Sequence, residues 1–487
     1  MRFLSATLLC LLLSPAALPQ TRQVLRHKGE LEFGDAQERV LTHKLLPGEN
    51  RLLLVGRKSV RVMDVAGAKF RESVPVEVPE FKEDAPRLIS PDGRRMLVFG
   101  NYASKDKVKR PPTVWDLRTG KQLAVLDGTA KPIRAASWSK NGKTLATSSN
   151  RYAPFASLAT SVEVSFWDGE TYALKSSLPT DKVGWWHLSD DGDKCVYAAG
   201  EVKTMLLTRY LNPASPVSVW DVSAGRIEQA ISAREANVEG RLGNVAVTPD
   251  EKFLFLITQP PKSKEAERRV SVWEIDKSNP PRFELRRKYE LKPAPQIPER
   301  LGSFSPDGKY LTLDAGKTLQ VYETRSGEKR FELPDDDYPA HWLDDNKILL
   351  FDYKSRLEAR EAATGRQLYR QALVYYTESS TAATTSDPDD PGRFLTNTTV
   401  LDKTEIVPHP GGRMFLTYSK QFVQVYDSRT GELLQTLVSP PVDHTKKKPK
   451  YDDKPLVSKA NWTDDGRTLY VIGADERTIS LWELLDS

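Results

Sequence analysis

The chain has 487 residues, 39% of them apolar and 28% charged, with a formal net charge of +5. That apolar share can bury a core, which excludes a disordered chain. A charge so small for this length, and not gathered into one patch, argues against a nucleic-acid binder.

Residues 1–20 stand apart from the rest. Met1-Arg2 gives a short positive start, Phe3 to Leu13 is a largely apolar run, and Ser14, Pro15, Ala16 and Ala17 follow. This is the layout of a secretory signal, and the run is too short to cross a bilayer. No second apolar segment follows, so no transmembrane segment is expected. Cys10 lies inside the run after Leu8-Leu9, without the small residue a lipoprotein signal places before its cysteine. The mature chain, 21–487, is expected to be exported, to the periplasm or the extracellular space. It then holds one thiol, Cys195, and cannot form an internal disulfide.

Beyond residue 20 the chain repeats. Segments ending in an aromatic and an acid recur at Val114-Trp115-Asp116, Phe166-Trp167-Asp168, Val219-Trp220-Asp221, Val272-Trp273-Glu274, Val321-Tyr322-Glu323, Val425-Tyr426-Asp427 and Leu481-Trp482-Glu483. Val62-Met63-Asp64 and Ala359-Arg360-Glu361 are weaker copies, which makes nine units. Most neighbouring acids lie about 50 residues apart, a period of propeller blades. Upstream of each stands a turn signal. Ser90-Pro91-Asp92-Gly93 and Ser305-Pro306-Asp307-Gly308 are the cleanest, and Thr248-Pro249-Asp250-Glu251 and His409-Pro410-Gly411-Gly412 are variants. Proline presets φ, Asp bonds its own backbone and Gly accepts positive φ. A second turn follows the acid, with Gly four residues on, as from Asp116 to Gly120 and from Asp427 to Gly431.

Each unit therefore reads as four short antiparallel strands, and the alternating, β-branched segments between turns agree. The Ser-Pro-Asp-Gly turns and Trp-Asp pairs resemble those of WD40-like propellers across nearly the whole mature chain. The resemblance implies an all-β fold, a single closed β-propeller of four-stranded blades, with eight or nine blades for nine repeat units. The Gly-His pair of strict WD40 repeats is missing, so the buried polar network of strict blades is not expected. The last unit ends at Trp482 to Ser487 with three strands and no fourth. Residues 22–27 look like a lone fourth strand, and pairing it with the last blade would leave no orphan edge.

In a four-strand meander, the first-to-second and third-to-fourth turns share one face, and the remaining connections share the other. Long insertions gather on the second face: 101–112, 150–161, 201–216, 259–269, 292–300, 378–399 and 438–454. Long loops on a rigid scaffold are where binding lives. Two basic clusters there, Lys105, Lys107, Lys109 and Arg110, and Lys446, Lys447, Lys448 and Lys450, are candidate partner-binding residues. Asp335, Asp336 and Asp337, with Asp387, Asp389 and Asp390, form two acidic loops, expected to be ring neighbours, where Ca²⁺ could bind or charge could simply be solvated. No other cofactor is expected.

Catalytic constellations are not found. The six histidines are scattered without metal-ligand spacing, and no Gly-x-Ser-x-Gly elbow or haem motif occurs. Trp185-Trp186 beside His187 is the most unusual local feature, and falls on a strand expected to pack in the core. The reading is thus a monomeric, exported binding or scaffold module for a protein or surface polymer. The alternatives are a lactonase-like propeller hydrolase with a channel metal, and a periplasmic assembly factor.

Overall fold

The computed structural model describes residues 23–485 except 35–37, 47, 57, 76–86, 101–110, 128–132, 134, 150–162, 180–182, 206–207, 232–234, 236–240, 260–268, 278–283, 292–300, 315–317, 335–339, 344–347, 354–355, 373–384, 388–389, 396–404, 420–421 and 439–455. Within these bounds the regular secondary structure is all strand. Seven sheets have four strands each, and one eight-stranded sheet holds two further four-strand units. The described residues therefore form nine blades, spanning 42–75, 87–125, 135–177, 183–231, 241–291, 301–334, 340–372, 405–438 and 457–484. The ninth blade takes its fourth strand, Leu25–Glu32, from the other end of the chain.

Burial explains the order within a blade. Second strands such as Thr144–Ser148 and Met414–Tyr418 are buried throughout. Fourth strands such as Gln122–Val125 are largely exposed, and the exposed large apolar side chains, Leu123, Val125, Leu174 and Ile227, all sit on such outer strands. No blade has a core of its own. Nine hydrophobic clusters fill the nine spaces between consecutive blades. The last of these joins Tyr470, Ile472, Ile479 and Leu481 of blade 9 to Leu52, Leu54 and Met63 of blade 1, so the ring returns to its start.

The repeat motif is a pair of turn devices. In six blades a buried Ser or Thr hydroxyl donates to the Asp or Asn two residues on and accepts the N–H five residues on, as Ser305 does with Asp307 and Tyr310 (both 2.9 Å). At the third strand the aromatic enters the interblade core, and in blades 2 to 6 and 8 its polar atom finds a side-chain acceptor. Trp167 Nε1 donates to Thr147 at 2.9 Å, and Tyr426 OH donates to Gln424 at 2.9 Å. The acid that follows caps the next turn. Asp168 Oδ1 accepts the N–H groups of Thr171 (2.9 Å) and Glu170 (3.0 Å), and these bonds, the Thr171 one foremost, hold its carboxyl down at about 2. Gly120 shows why the turn needs glycine: its φ is +70° and an added Cβ would lie 2.1 Å from the Pro75 carbonyl oxygen of the preceding blade.

Two features depart from the sequence expectation. Residues 201–216 were expected to be a loop, but the second and third strands of blade 4, Lys194–Met205 and Thr208–Asp221, run on as a paired hairpin well past the blade. Leu211 of that hairpin pairs with Leu242, which fuses blades 4 and 5 into the eight-stranded sheet. The closing strand is also longer than residues 22–27 suggested, since its pairing runs from Leu25↔Leu484 to Glu32↔Thr478.

Cys195 is fully buried, and burial pushes its thiol well above the usual range, so it serves as a core residue. His43, on the innermost strand of blade 1, packs edge-on against Tyr470 with ring centroids 5.9 Å apart. Burial, helped by the Lys459 charge, lowers its imidazole from 6.5 to about 4. The unfolded chain therefore takes up this proton first. Stability should fall as pH drops from 6.5 towards 4, with no further loss from this group below that. Melting temperatures of His43→Phe should show a shallower acid slope across that window, and an unchanged slope would remove His43 as its cause.

Candidate functional site

The two turn types of a blade lie on one face, stitched together by a repeated bond. The residue after the aromatic-acid pair donates its N–H to a carbonyl at the first turn: Leu117 to Arg94 (2.8 Å), Val222 to Asp193 (3.0 Å), Thr324 to Lys309 (2.8 Å) and Ser428 to Arg413 (3.0 Å). Neighbouring blades are laced on the same face. Asn50 Nδ2 donates to Asp465 (2.7 Å), Asn141 Nδ2 to the Asp191 carbonyl (2.7 Å), and Arg95 to the Gly169 carbonyl. In blade 8, His409 replaces the turn Ser. Its Nδ1 accepts the Gly411 N–H, so Nε2 carries the proton and donates to the Gly466 carbonyl of blade 9, both at 2.9 Å.

Blade 5 departs from the pattern most. Glu251 stands where other turns have Gly, at φ +52°, and is 5% exposed. Its carboxylate crosses to blade 4, where it pairs with His187 Nε2 (2.8 Å) and accepts the Asp190 N–H (2.9 Å), and it also meets Lys277. Burial alone would raise its pKa, but the hydrogen bonds from His187 and Lys277 outweigh it and hold the carboxyl below its ordinary 4.5. Glu251→Gly should therefore destabilise despite relieving a strained φ. The strain is worth about 1 kcal/mol, while hydrogen bonds to a charged group are worth about 2 kcal/mol each. The Glu251 contribution is present above pH 4.5 and is lost as pH falls through the lowered folded value. Urea unfolding of the two proteins should differ by about 1–3 kcal/mol at neutral pH and converge in acid. Equal stability at neutral pH would refute the pairing.

Beside this network, between the innermost strands of blades 3 and 4, lies a cleft of about 410 Å³ lined by Ser137, Trp138, Lys140, Trp186, His187 and Asp190 among others. Trp185 and Trp186 stay in regular register with Ala198 and Tyr197, so strand alternation points the two adjacent tryptophans to opposite faces. Trp185 packs in the core towards blade 5 and Trp186 in the core towards blade 3. The expectation of core packing for this pair is met, and Trp186 also walls the cleft. The replacement of Gly by Glu at 251 was visible in the sequence, but its partners, 61 and 64 residues away, were not.

Lys105, Lys107, Lys109, Arg110, Lys446, Lys447, Lys448, Lys450, Asp335, Asp336, Asp337 and Asp389 fall outside the described residues. Asp387 and Asp390 are paired through their backbones in a small hairpin, Thr385–Asp387 with Asp390–Leu395, between blades 7 and 8. Among the described residues no three His, Cys, Asp or Glu side chains converge as a metal site, and no helix is long and apolar enough to cross a membrane.

Residues 120–153, from the outer strand of blade 2 into blade 3, match the WD40 family model, described as WD domain, G-beta repeat. The chain is a β-propeller that carries a WD40 repeat. The solved C-terminal WD40 domain of Sif2 is similar to this WD40-like propeller at 12% identity, covering 96% of this chain and 99% of that one, with a TM-score of 0.42. The computationally designed Ika8 protein is similar at 14% identity, covering 94% and 100%, with a TM-score of 0.41. No curated protein matches significantly in sequence. With similarities this low, strand pairing and the nine interblade cores carry the fold assignment for this WD40-like propeller.

Proposed function

We propose that this chain is an exported, WD40-like binding module whose rigid ring engages a protein or surface-polymer partner through its long-loop face. WD40 propellers generally serve as protein-interaction scaffolds. The observation that carries the reading is the contrast between the two faces. The turn face is tight and laced by hydrogen bonds, whereas the extended 201–216 hairpin of blade 4 rises from the opposite side. A rigid scaffold with one elaborated face suits recognition. Export is supported by the signal-like residues 1–20.

The test is capture of partners from the native envelope or medium by the intact mature chain. Neutralising Lys446, Lys447, Lys448 and Lys450 should weaken capture of an anionic partner and flatten its salt dependence. Replacing 201–212 by a two-residue turn should weaken capture without a large change in melting temperature. If both variants capture as the parent does, the long-loop face is not the binding face. Melting before and after chelation, with Ca²⁺ then restored, decides whether the Asp335–Asp337 and Asp387–Asp390 stretches hold a cation, since a ligand of the native state must raise the melting temperature.

A further inference from the structure

The first strand of each blade lines the centre of the ring. Four of these strands, Thr42–Leu46, Arg87–Ile89, Arg241–Val247 and Val457–Trp462, carry Lys44, Arg87, Arg241 and Lys459. The one carboxylate on any of the nine is Glu405 of blade 8. Lys459, Lys44 and Arg87 stand on consecutive blades, 9, 1 and 2. Strand pairing fixes which way they face, because directly opposed residues share a face of the sheet. Lys459 is opposite Ile472 and His43 is opposite Leu54, and both apolar partners belong to the core between blades 9 and 1. Lys44 is opposite Leu53 and Arg87 is opposite Val98, which both belong to the core between blades 1 and 2. A basic pair therefore borders each of two adjacent cores at its inner margin.

These charges are poorly compensated. Lys459 Nζ lies 5.8 Å from the centre of the Tyr418 ring, and its charge joins burial in depressing the His43 imidazole. Burial lowers the Lys44 ammonium, and Asp92 offsets this only in part. That carboxylate is itself engaged by the Ser90 hydroxyl, by the Arg94 N–H (3.1 Å) and by the Arg95 guanidinium (3.2 Å). Among the described residues neither Lys44 nor Lys459 forms an ion pair with a carboxylate. A concave surface lined by one sign of charge focuses its field and concentrates counter-ions. The two basic pairs lie on opposite faces of blade 1, so one anion serving both must carry more than one negative charge and bridge the inner edge of that blade. We propose that the ring centre at blades 9, 1 and 2 binds a small multivalent anion, a polyphosphate or polycarboxylate, held by Lys44 and Lys459 with Arg87 adding its charge. The site does not depend on the long-loop reading.

The experiment is calorimetric titration of the intact mature protein, at neutral pH and low salt, with pyrophosphate, citrate and acetate. Pyrophosphate or citrate should bind with a Kd below about 1 mM, and acetate at least about tenfold more weakly. Tighter pyrophosphate assigns the natural ligand to phosphates, and tighter citrate to carboxylates. Lys44→Gln and Lys459→Gln should each cost about fivefold in affinity. Lys121→Gln, the same loss of charge at an exposed position of blade 2, should cost nothing. Neither ring-centre variant should melt lower than the parent without ligand, because burial already disfavours the Lys44 ammonium and loss of Lys459 relieves His43. No saturable binding of pyrophosphate or citrate up to about 10 mM, acetate binding as tightly as they do, unchanged affinity in both ring-centre variants, or an equal loss in Lys121→Gln would each overturn the proposal.

Discussion

A chain beginning at residue 33 will not hold the closed ring. Removing Leu25–Glu32 strips the ninth blade of its fourth strand and of seven register pairs, from Leu25↔Leu484 to Glu32↔Thr478. It also removes Leu25, which is fully buried in the core between blades 8 and 9. Further ties are lost. The Gln435 side chain of blade 8 accepts the N–H groups of Val24 (2.9 Å) and Leu25 (2.8 Å) and returns a bond to the Leu25 carbonyl (2.9 Å), and Arg26 pairs with Glu483 at 2.7 Å. The Gln435 amide thus acts as an extra strand residue and pins the entering chain to the neighbouring blade. The expected loss is about 5 kcal/mol or more, comparable to the whole stability of many domains. The bared edge of Thr478–Leu484 should then recruit other chains. Light scattering should show association, and calorimetry a collapsed melting temperature. A monomer that melts within a few degrees of the parent would exclude closure by this strand. Leu25→Ala gives the graded version, at about 2–4 kcal/mol.

The second large effect is expected at Lys194. Its side chain is 6% exposed and its ammonium lies between Asp221 (2.7 Å) and Glu228 (2.8 Å) of the third and fourth strands of the same blade. Burial disfavours the charged amine, but the hydrogen bonds it donates to Asp221 and Glu228 win and hold its pKa above the ordinary value. Asp221 is held below its own by the same bond, against its burial. Lys194→Met leaves two carboxylates facing each other with no cation between them. Breaking a buried pair from one side costs about 3 kcal/mol, because the remaining charge is uncompensated. The triple change Lys194→Met, Asp221→Asn, Glu228→Gln removes the charges together and should recover most of that loss. Urea unfolding of the three proteins checks both statements. A triple variant no more stable than the single one would mean that packing of the lysine stem, not charge, holds this site.

What the sequence by itself determined is everything carried by short spacings. Turn residues, strand alternation and the aromatic-acid pairs act within a few residues, so nine units, their strand order and the pairing of the two ends could be read from Ser90-Pro91-Asp92-Gly93, Trp115-Asp116 and the missing last strand. The identity of the capping groups follows from the same local chemistry, as Asp168 and Ser305 show. Only the tertiary structure decided which distant side chains meet. Glu251 reads as a defective turn until blade 5 is set against blade 4 and its carboxylate finds His187 and Asp190. Trp185-Trp186 reads as one apolar pair until blades 3 and 5 are set on either side of blade 4 and each ring packs towards a different neighbour. The 201–216 hairpin lacks a clean amphipathic alternation, and its order comes from cross-strand pairing and from Leu242. In a ring whose cores all lie between blades, contacts that join separate repeats are set by how one sheet packs on the next, and no local spacing encodes that.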